Sequence, residues 1–306
     1  MNHDSSMEVL SAQLIKEKAF SLGFSDCGIA KVCSLEKEWH DFEQSLRKKY
    51  HAEMSFLERN KETRFDPRLL FPKCQSVIVV LYPYLINKTP QFDRYLIAKY
   101  AHIKDYHLVV KEKLQQMVHY IHSIASNAIC RITVDSSCIS EKNWAVKAGL
   151  GYIGKNSLLQ TPKGSFCVIG IVLTDQVFEY DAEKRGDCGT CELCMQACPT
   201  KAIADPYRID AEKCIAYQTV ENKKSTYHIN ENSCWVFGCD ICQDVCPHNR
   251  KKLINLDAIR FSSLFLQLQN EDFEKMTKKQ FDLIFAETPL QRRGFERFRK
   301  SIENDE

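Results

Sequence analysis

The feature that most constrains this chain is Cys188-Gly-Thr-Cys191-Glu-Leu-Cys194-Met-Gln-Ala-Cys198-Pro199, a C-x2-C-x2-C-x3-C-P run. Spacing of this kind lets three thiolates from one tight loop reach three irons of a single cube. The fourth cysteine leaves in the opposite direction and binds another cluster where two are present. Such a run calls for a second one, and Cys239-Asp-Ile-Cys242-Gln-Asp-Val-Cys246-Pro247 repeats its last three-cysteine portion. Val236 stands where a full copy would have its first thiolate, so one ligand comes from elsewhere.

Two cysteines can supply that ligand, Cys214 and Cys234. Two-cluster ferredoxin folds follow the first run with a helix and a short return strand, and KAIADPYRIDAEKC fits that return, which favours Cys214. Cys234 beside Trp235 reads as packing. The expected sets are Cys188, Cys191, Cys194 and Cys246 for one [4Fe–4S] cluster, and Cys198, Cys214, Cys239 and Cys242 for the other, with centres within electron-tunnelling distance. Paired C-x2-C units also suit tetrahedral zinc, but zinc needs neither the x2-x2-x3 triple nor both C-P endings.

Fifteen cysteines in a short secreted chain would suggest disulfides, but this chain has 306 residues and a polar start, MNHDSSMEVL, with no apolar signal core. Reduced thiolates binding metal are expected instead. Cys27, Cys33, Cys74, Cys130, Cys138, Cys167 and Cys234 share no spacing and read as ordinary core material. Nowhere do about 18 apolar residues run together, so no membrane span is expected and the protein is placed in the cytoplasm. With 42 basic and 40 acidic side chains the net charge is +2, so any binding to nucleic acid must be local. Nothing suggests an oligomer, and a monomer is expected.

The first half reads as α/β. Residues 7–22 place Val9, Leu10, Leu14, Ile15, Ala19 and Phe20 at helical spacing, with Gly23 as the cap and a strand at 24–32. The runs 76–84, 128–136 and 167–175 are short, β-branched and nearly continuous, as strands buried on both faces should be. A helix over 105–125 opens at Asp105 and carries Val109, Leu114, Val118, Ile121 and Ile124 on one face. From Asp187 to about Asn249 the texture turns to Cys, Gly, Asp and Pro, where a metal core replaces a hydrophobic one.

Asp135 follows an apolar strand and precedes a helix that ends in KAGLGYIGKN. A carboxyl group in an apolar setting has a raised pKa and can donate a proton. The plainer alternative is an N-cap for the next helix. Gly149, Gly151 and Gly154 are turn-formers on their face, not a dinucleotide fingerprint.

Taken together, VDSSCISEKNWAVKAGLGYIGKNSLL, the DYH at 105–107, CELCMQACPTKAI and CDICQDVCPHN resemble epoxyqueuosine reductase, from about residue 10 onward and in the family's order. The resemblance implies a cobalamin-binding α/β domain like that of reductive dehalogenases over 1–180, a two-cluster ferredoxin-like module over 181–250 and a short helical, basic tail over 251–306. It implies reduction of the epoxide at the tRNA wobble base to a cyclopentene, the last step of queuosine synthesis, with the clusters passing electrons to cobalamin. Asp135 matches the family's proton donor. Arg64, Ala98, Asp135, Leu159, Ile169, Ala216 and Asp240 fall where the family touches the corrinoid, and a flavodoxin- or ferredoxin-type protein is the implied donor.

The resemblance also puts tRNA contacts in the tail, on Lys278, Lys279, Arg292 and Arg293, and the plainer reading of these is a solvated helix face. Many members continue into helical repeats after this region, while this chain ends at Glu306, so altered tRNA affinity or selectivity is expected. Two rivals remain: a bare electron carrier, which has no need of the α/β half, and a cobalamin-dependent reductase of a small halogenated or epoxidised molecule, which the basic tail disfavours.

Overall fold

The computed structural model describes residues 9–86, 94–135, 137–223, 234–250, 254 and 264–303. At its centre lies a four-stranded sheet of β1 (Asp26–Lys31), β2 (Ser76–Pro83), β3 (Cys130–Thr133) and β4 (Cys167–Thr174), in the spatial order β1-β2-β4-β3. Every pairing is antiparallel. Each strand falls within its expected run. No carboxyl edge is common to strands that alternate in direction, so Asp135 does not sit at the shared carboxyl edge where open α/β sheets gather ligands.

All eight residues of β2 are buried, and alternation splits them between two cores. Ile78, Val80 and Tyr82 pack with α1 (Ala12–Ser21) and α3 (Tyr106–Ile124), while Val77, Val79 and Leu81 pack with Trp144 and Ala145 of α4 (Glu141–Lys147) and with Phe65 and Phe71. The helix α2 (Glu36–Arg47) leans Phe42 on the second core. In β2 and β4 burial on both faces, not parallel pairing, explains the unbroken apolar runs, whereas β3, at the sheet edge, exposes Arg131 and leaves Cys130 and Ile132 half-buried, against expectation. Each large aliphatic side chain so buried contributes about 1.5–3 kcal/mol.

Helix α3 begins where Asp105 accepts a hydrogen bond from the His107 amide at 3.0 Å, and it buries Val109, Val110, Leu114, Met117 and Ile121. Its N-terminal half fits closely against β4: a Cβ on Gly170 would lie 2.8 Å from Val110 Cγ1. Helix α1 is shorter than its periodicity suggests. Its buried stripe is Ala12, Ile15 and Ala19; Leu14 and Phe20 are exposed, and Val9–Leu10 instead pairs in parallel with Val177–Phe178. Gly23, at φ +84°, ends the helix as expected.

The cysteine-rich segment is tied to the α/β half through a buried polar cluster. Asn249 accepts from the Ser165 amide at 2.7 Å and donates to the Gln243 carbonyl at 2.8 Å, while Gln243 donates to the Ser165 carbonyl at 3.1 Å. The tail contributes α5 (Lys278–Ile284), α6 (Pro289–Arg293) and α7 (Phe295–Glu303). Phe281, Phe285, Leu290, Phe298 and Ile302 share a third core with Tyr95, Ile97, Val236 and Phe237. The tail is thus packed onto the body through an aromatic core. Within the described residues no helix is long and apolar enough to cross a membrane.

Candidate active site

The seven cysteines of the two runs and Cys214 fall into two neighbourhoods. The Cys239 thiol is pushed up to about 12 by burial and by the charges of Cys214, Asp240 and Cys198. Cys242 is raised by burial and then by Cys239, Cys214, Cys194 and Cys198. Cys194 is raised by burial and by Cys188 and Cys246, and Cys246 by burial, Cys188 and Cys191. Mutual influence therefore gathers Cys198, Cys214, Cys239 and Cys242 on one side and Cys188, Cys191, Cys194 and Cys246 on the other, with Cys242 and Cys194 close to both. Cys234 stands apart: its carbonyl accepts from Leu96 where Leu96–Ile97 pairs with Trp235–Phe237. Two sulfurs accept backbone bonds, Cys188 from Lys155 at 3.4 Å and Cys198 from Ala202 at 3.3 Å. The first joins the turn after KAGLGYIG to the cysteine segment.

A wide cavity of about 1250 Å³ opens between α2, α4 and the 183–187 and 205–208 segments. Arg64 and Asp135 line it together with Ser137, Glu141, Lys142, Tyr152 and Ser157. Beside it lies a second cavity of about 480 Å³, with Lys142, Ser157 and Tyr207 common to both and Tyr100, Cys214 and Ala216 on its far side. Together they exceed an ordinary drug-sized pocket. Arg64 donates from Nη2 to the Phe56 carbonyl at 2.9 Å, and its buried Nε has no hydrogen-bond partner among the described residues.

The remaining expected corrinoid contacts do not line either cavity. Ala98, Leu159 and Asp240 are at most 4% exposed and Ile169 is 9% exposed. Leu159 and Ile169 belong to the core beneath the sheet. Asp240 accepts from the Lys99 amide at 2.7 Å, and its carboxyl is raised by burial. As the chain stands, these four side chains pack inside the protein.

Asp135 projects from the end of β3 at φ +56°. Tyr106 donates to its Oδ2 at 2.8 Å, and His107 Nε2 lies 3.3 Å from the same atom. The other ring nitrogen of His107 is 2.7 Å from Asp105 Oδ1, so the imidazole bridges two carboxylates. Tyr106 stacks on the imidazole with ring centroids 4.1 Å apart. Burial works against a charged His107, but the bonds to Asp105 and Asp135 outweigh it and its pKa is raised.

Asp135 is not the raised acid that its apolar strand suggests. Its carboxyl is held below the usual carboxylate range, first by the hydrogen bond from His107, with burial opposing and Tyr106 assisting. Its side chain is 60% exposed into the cavity, so it is not in an apolar enclosure. Capping is excluded as well, because α4 starts after Ser140. The raised acid is Glu141, pushed up to about 8 by burial and by the charge of Asp135.

The tail reaches the same place. Arg292 Nη1 lies 2.5 and 2.8 Å from the two ring nitrogens of His107 and 3.8 Å from Asp105 Oδ2. Both nitrogens already face carboxylates, so the guanidinium sits against the ring as a like charge. Arg293, by contrast, is 9% exposed and donates to the Gln218 carbonyl at 3.5 Å, so its burial removes it from the expected phosphate contacts. Lys278 is paired with Asp282 at 2.5 Å, and Lys279 is exposed. Tyr106, His107 and Glu141 received no role from the sequence. The DYH triplet beside a helix start was the signal available for the first two.

Residues 187–249 match a family model described as a 4Fe-4S double cluster binding domain, and residues 64–136 match one described as Epoxyqueuosine reductase QueG, DUF1730. The epoxyqueuosine reductase of Cellulophaga algicola is 38% identical over 296 residues, covering 95% of this chain and 97% of that protein. The chain belongs to the epoxyqueuosine reductase family. The family's member from Cyclobacterium marinum is likewise 38% identical, with 95% of each chain covered. Among solved structures, epoxyqueuosine reductase from Streptococcus thermophilus superposes with a TM-score of 0.84 at 25% identity, over 96% of this chain and 80% of that one. Another epoxyqueuosine reductase, solved with an epoxyqueuosine-modified tRNA stem loop, shares the fold with a TM-score of 0.86 at 24% identity and the same coverage. Like others of the epoxyqueuosine reductase family, this chain is an oxidoreductase that carries two [4Fe–4S] clusters in its 187–249 segment.

Proposed function

We propose that this protein reduces epoxyqueuosine to queuosine at the wobble position of tRNA. The observation that carries the reading is the Tyr106–Asp135–His107–Asp105 constellation, whose Asp135 lines the large cavity. Converting an epoxide to an alkene takes up two electrons and two protons and releases water. The electrons are assigned to clusters held by Cys188, Cys191, Cys194 and Cys246, and by Cys198, Cys214, Cys239 and Cys242. A flavodoxin- or ferredoxin-type protein supplies them, and the enzyme works as a cytoplasmic monomer.

The cavity walls suit cobalamin: their size, the free Nε of Arg64 and the adjoining Ala216 surface supply room and a donor for a large polar ring. When bound there, cobalamin supplies the strongly reduced cobalt that an epoxide requires. The chain's own residues manage the protons. Asp135 faces the cavity and is the group that meets the epoxide oxygen. The bonds to Asp105 and Asp135 favour the protonated form of His107, and its proton passes through the 3.3 Å contact to Asp135 as negative charge develops on the oxygen. Asp105 fixes the ring through Nδ1, and Tyr106, with a strongly raised pKa, keeps its proton and steadies the carboxylate. Lys278, Lys279 and Arg292 are the proposed phosphate contacts, with Arg292 at the mouth of the site. A wobble base is accessible in its loop and can be splayed into such a cavity.

The test is anaerobic incubation of cluster-loaded protein with cobalamin, a low-potential reductant and tRNA carrying epoxyqueuosine, followed by nucleoside mass spectrometry. Loss of one oxygen mass is expected. An unchanged nucleoside, with both cofactors confirmed present, would refute the assignment.

A further inference from the structure

We propose that Glu141 is a positioning residue that holds the Asp135 turn in place, so that the Asp135 carboxylate stays on Tyr106 and His107. The catalytic consequence rests on the proton-donor reading of Asp135, but the geometry does not. A left-handed backbone is unfavourable for an L residue, and Asp135 takes it at φ +56°. Such a conformation persists when its surroundings over-determine it. Here the side chain is bound by Tyr106 and His107, and the backbone amide donates to Glu141 Oε1 at 2.6 Å.

Glu141 is a firm anchor. It is the first residue of α4, and three residues later Trp144, fully buried, sets that helix into the core under the sheet together with Ala145. The chain of support thus runs from the sheet core through α4 to the Glu141 carboxyl and on to the amide of Asp135. Without that acceptor the amide loses the protein group that fixes its direction. The turn then relaxes towards negative φ, and the carboxylate leaves its two partners.

The charged groups around Glu141 are Asp135 at the end of β3, His107 on α3 and Lys142 beside it on α4. The required function is acceptance of one hydrogen bond, which a carboxylate, a carboxylic acid or an amide oxygen can provide. Glutamine is therefore a conservative replacement and alanine is not.

The experiment compares Glu141→Ala and Glu141→Gln in cluster-loaded protein with two readouts. The first is the titration of His107 followed by NMR on histidine-labelled protein, its signal assigned by loss in His107→Asn. The second is kcat and KM for tRNA carrying epoxyqueuosine. In Glu141→Ala the His107 pKa is expected to fall as Asp135 leaves it, and kcat to drop about 100-fold, the scale of a 1 Å misplacement, with KM unchanged. Glu141→Gln is expected to match wild type in both. The proposal is overturned if Glu141→Ala leaves the His107 titration unmoved, or if Glu141→Gln loses as much kcat as Glu141→Ala, which would give the Glu141 proton a direct part. If wild type fails to reduce the nucleoside while Glu141→Ala still shifts His107, the positioning stands and the proposed reaction falls.

Discussion

Replacing Cys214 and Cys234 separately by alanine decides which of them completes the second cluster. Both lie upstream of Val236, the gap in the second cysteine run, and spacing alone leaves both open. In the structure Cys214 feels the charge of Cys198 and raises Cys239 and Cys242, whereas Cys234 sits where Trp235–Phe237 pairs with Leu96–Ile97. With two cubes of four irons, an intact protein holds about eight irons and eight sulfides. Removing one of four thiolate ligands from one cube is expected to cost that whole cube, leaving about four of each in Cys214→Ala, while Cys234→Ala keeps about eight. Because ligand binding is part of the folding free energy of such a segment, Cys214→Ala should also lower the thermal midpoint. Iron and sulfide analysis of anaerobically reconstituted protein, with electron paramagnetic resonance after reduction, gives the count. A full complement in Cys214→Ala, or a half complement in Cys234→Ala, would refute the assignment made from charge proximity.

Asp135→Asn should keep full iron content and lose about 10²- to 10⁴-fold in turnover, the usual share of a general acid, as read by nucleoside mass spectrometry. The rate should fall as pH rises through the raised pKa of His107. Asp105→Asn keeps the cap of α3, because Asn caps as well as Asp, but removes the charge beside Nδ1 and moves that limb to lower pH. The same sign governs stability: the contribution from charged His107 is complete below its unfolded pKa and is lost as pH rises through its folded one, while that of Asp105 and Asp135, both depressed, is lost on acidification. Phe298→Ala should cost about 3–5 kcal/mol in chemical denaturation, because the ring is 2% exposed and packs against Phe273, Phe281 and Phe285. Lys279→Ala should weaken tRNA binding and lower the slope of log affinity against log salt by about 0.7, whereas Arg293→Ala should act on stability.

The sequence by itself determined the elements built from local pattern. The helix from Asp105, the four strand runs and the cap at Gly23 are written in spacing, β-branching and one missing Cβ. The cysteine runs are legible for the same reason, since a cluster imposes a fixed spacing on the loop that wraps it. Residues 7 and 8 of the first expected helix, and residues 251–253, 255–263 and 304–306 of the tail, lie outside the described residues.

Everything that depends on distant groups meeting had to wait for the packed fold. Strand direction follows from the connections and not from the composition of any run, so the antiparallel sheet was invisible in the sequence. The depressed carboxyl of Asp135 comes from His107, 28 positions earlier in the chain by numbering, and from Tyr106 beside it; an apolar strand upstream suggested the opposite sign. Arg292 and Arg293 are neighbours in sequence with equal charge, yet the first reaches His107 while the second turns inward to Gln218, because successive helical residues point in different directions. Local chemistry fixes which elements form; electrostatics and burial are sums over the whole fold, and they exist only once those elements have packed.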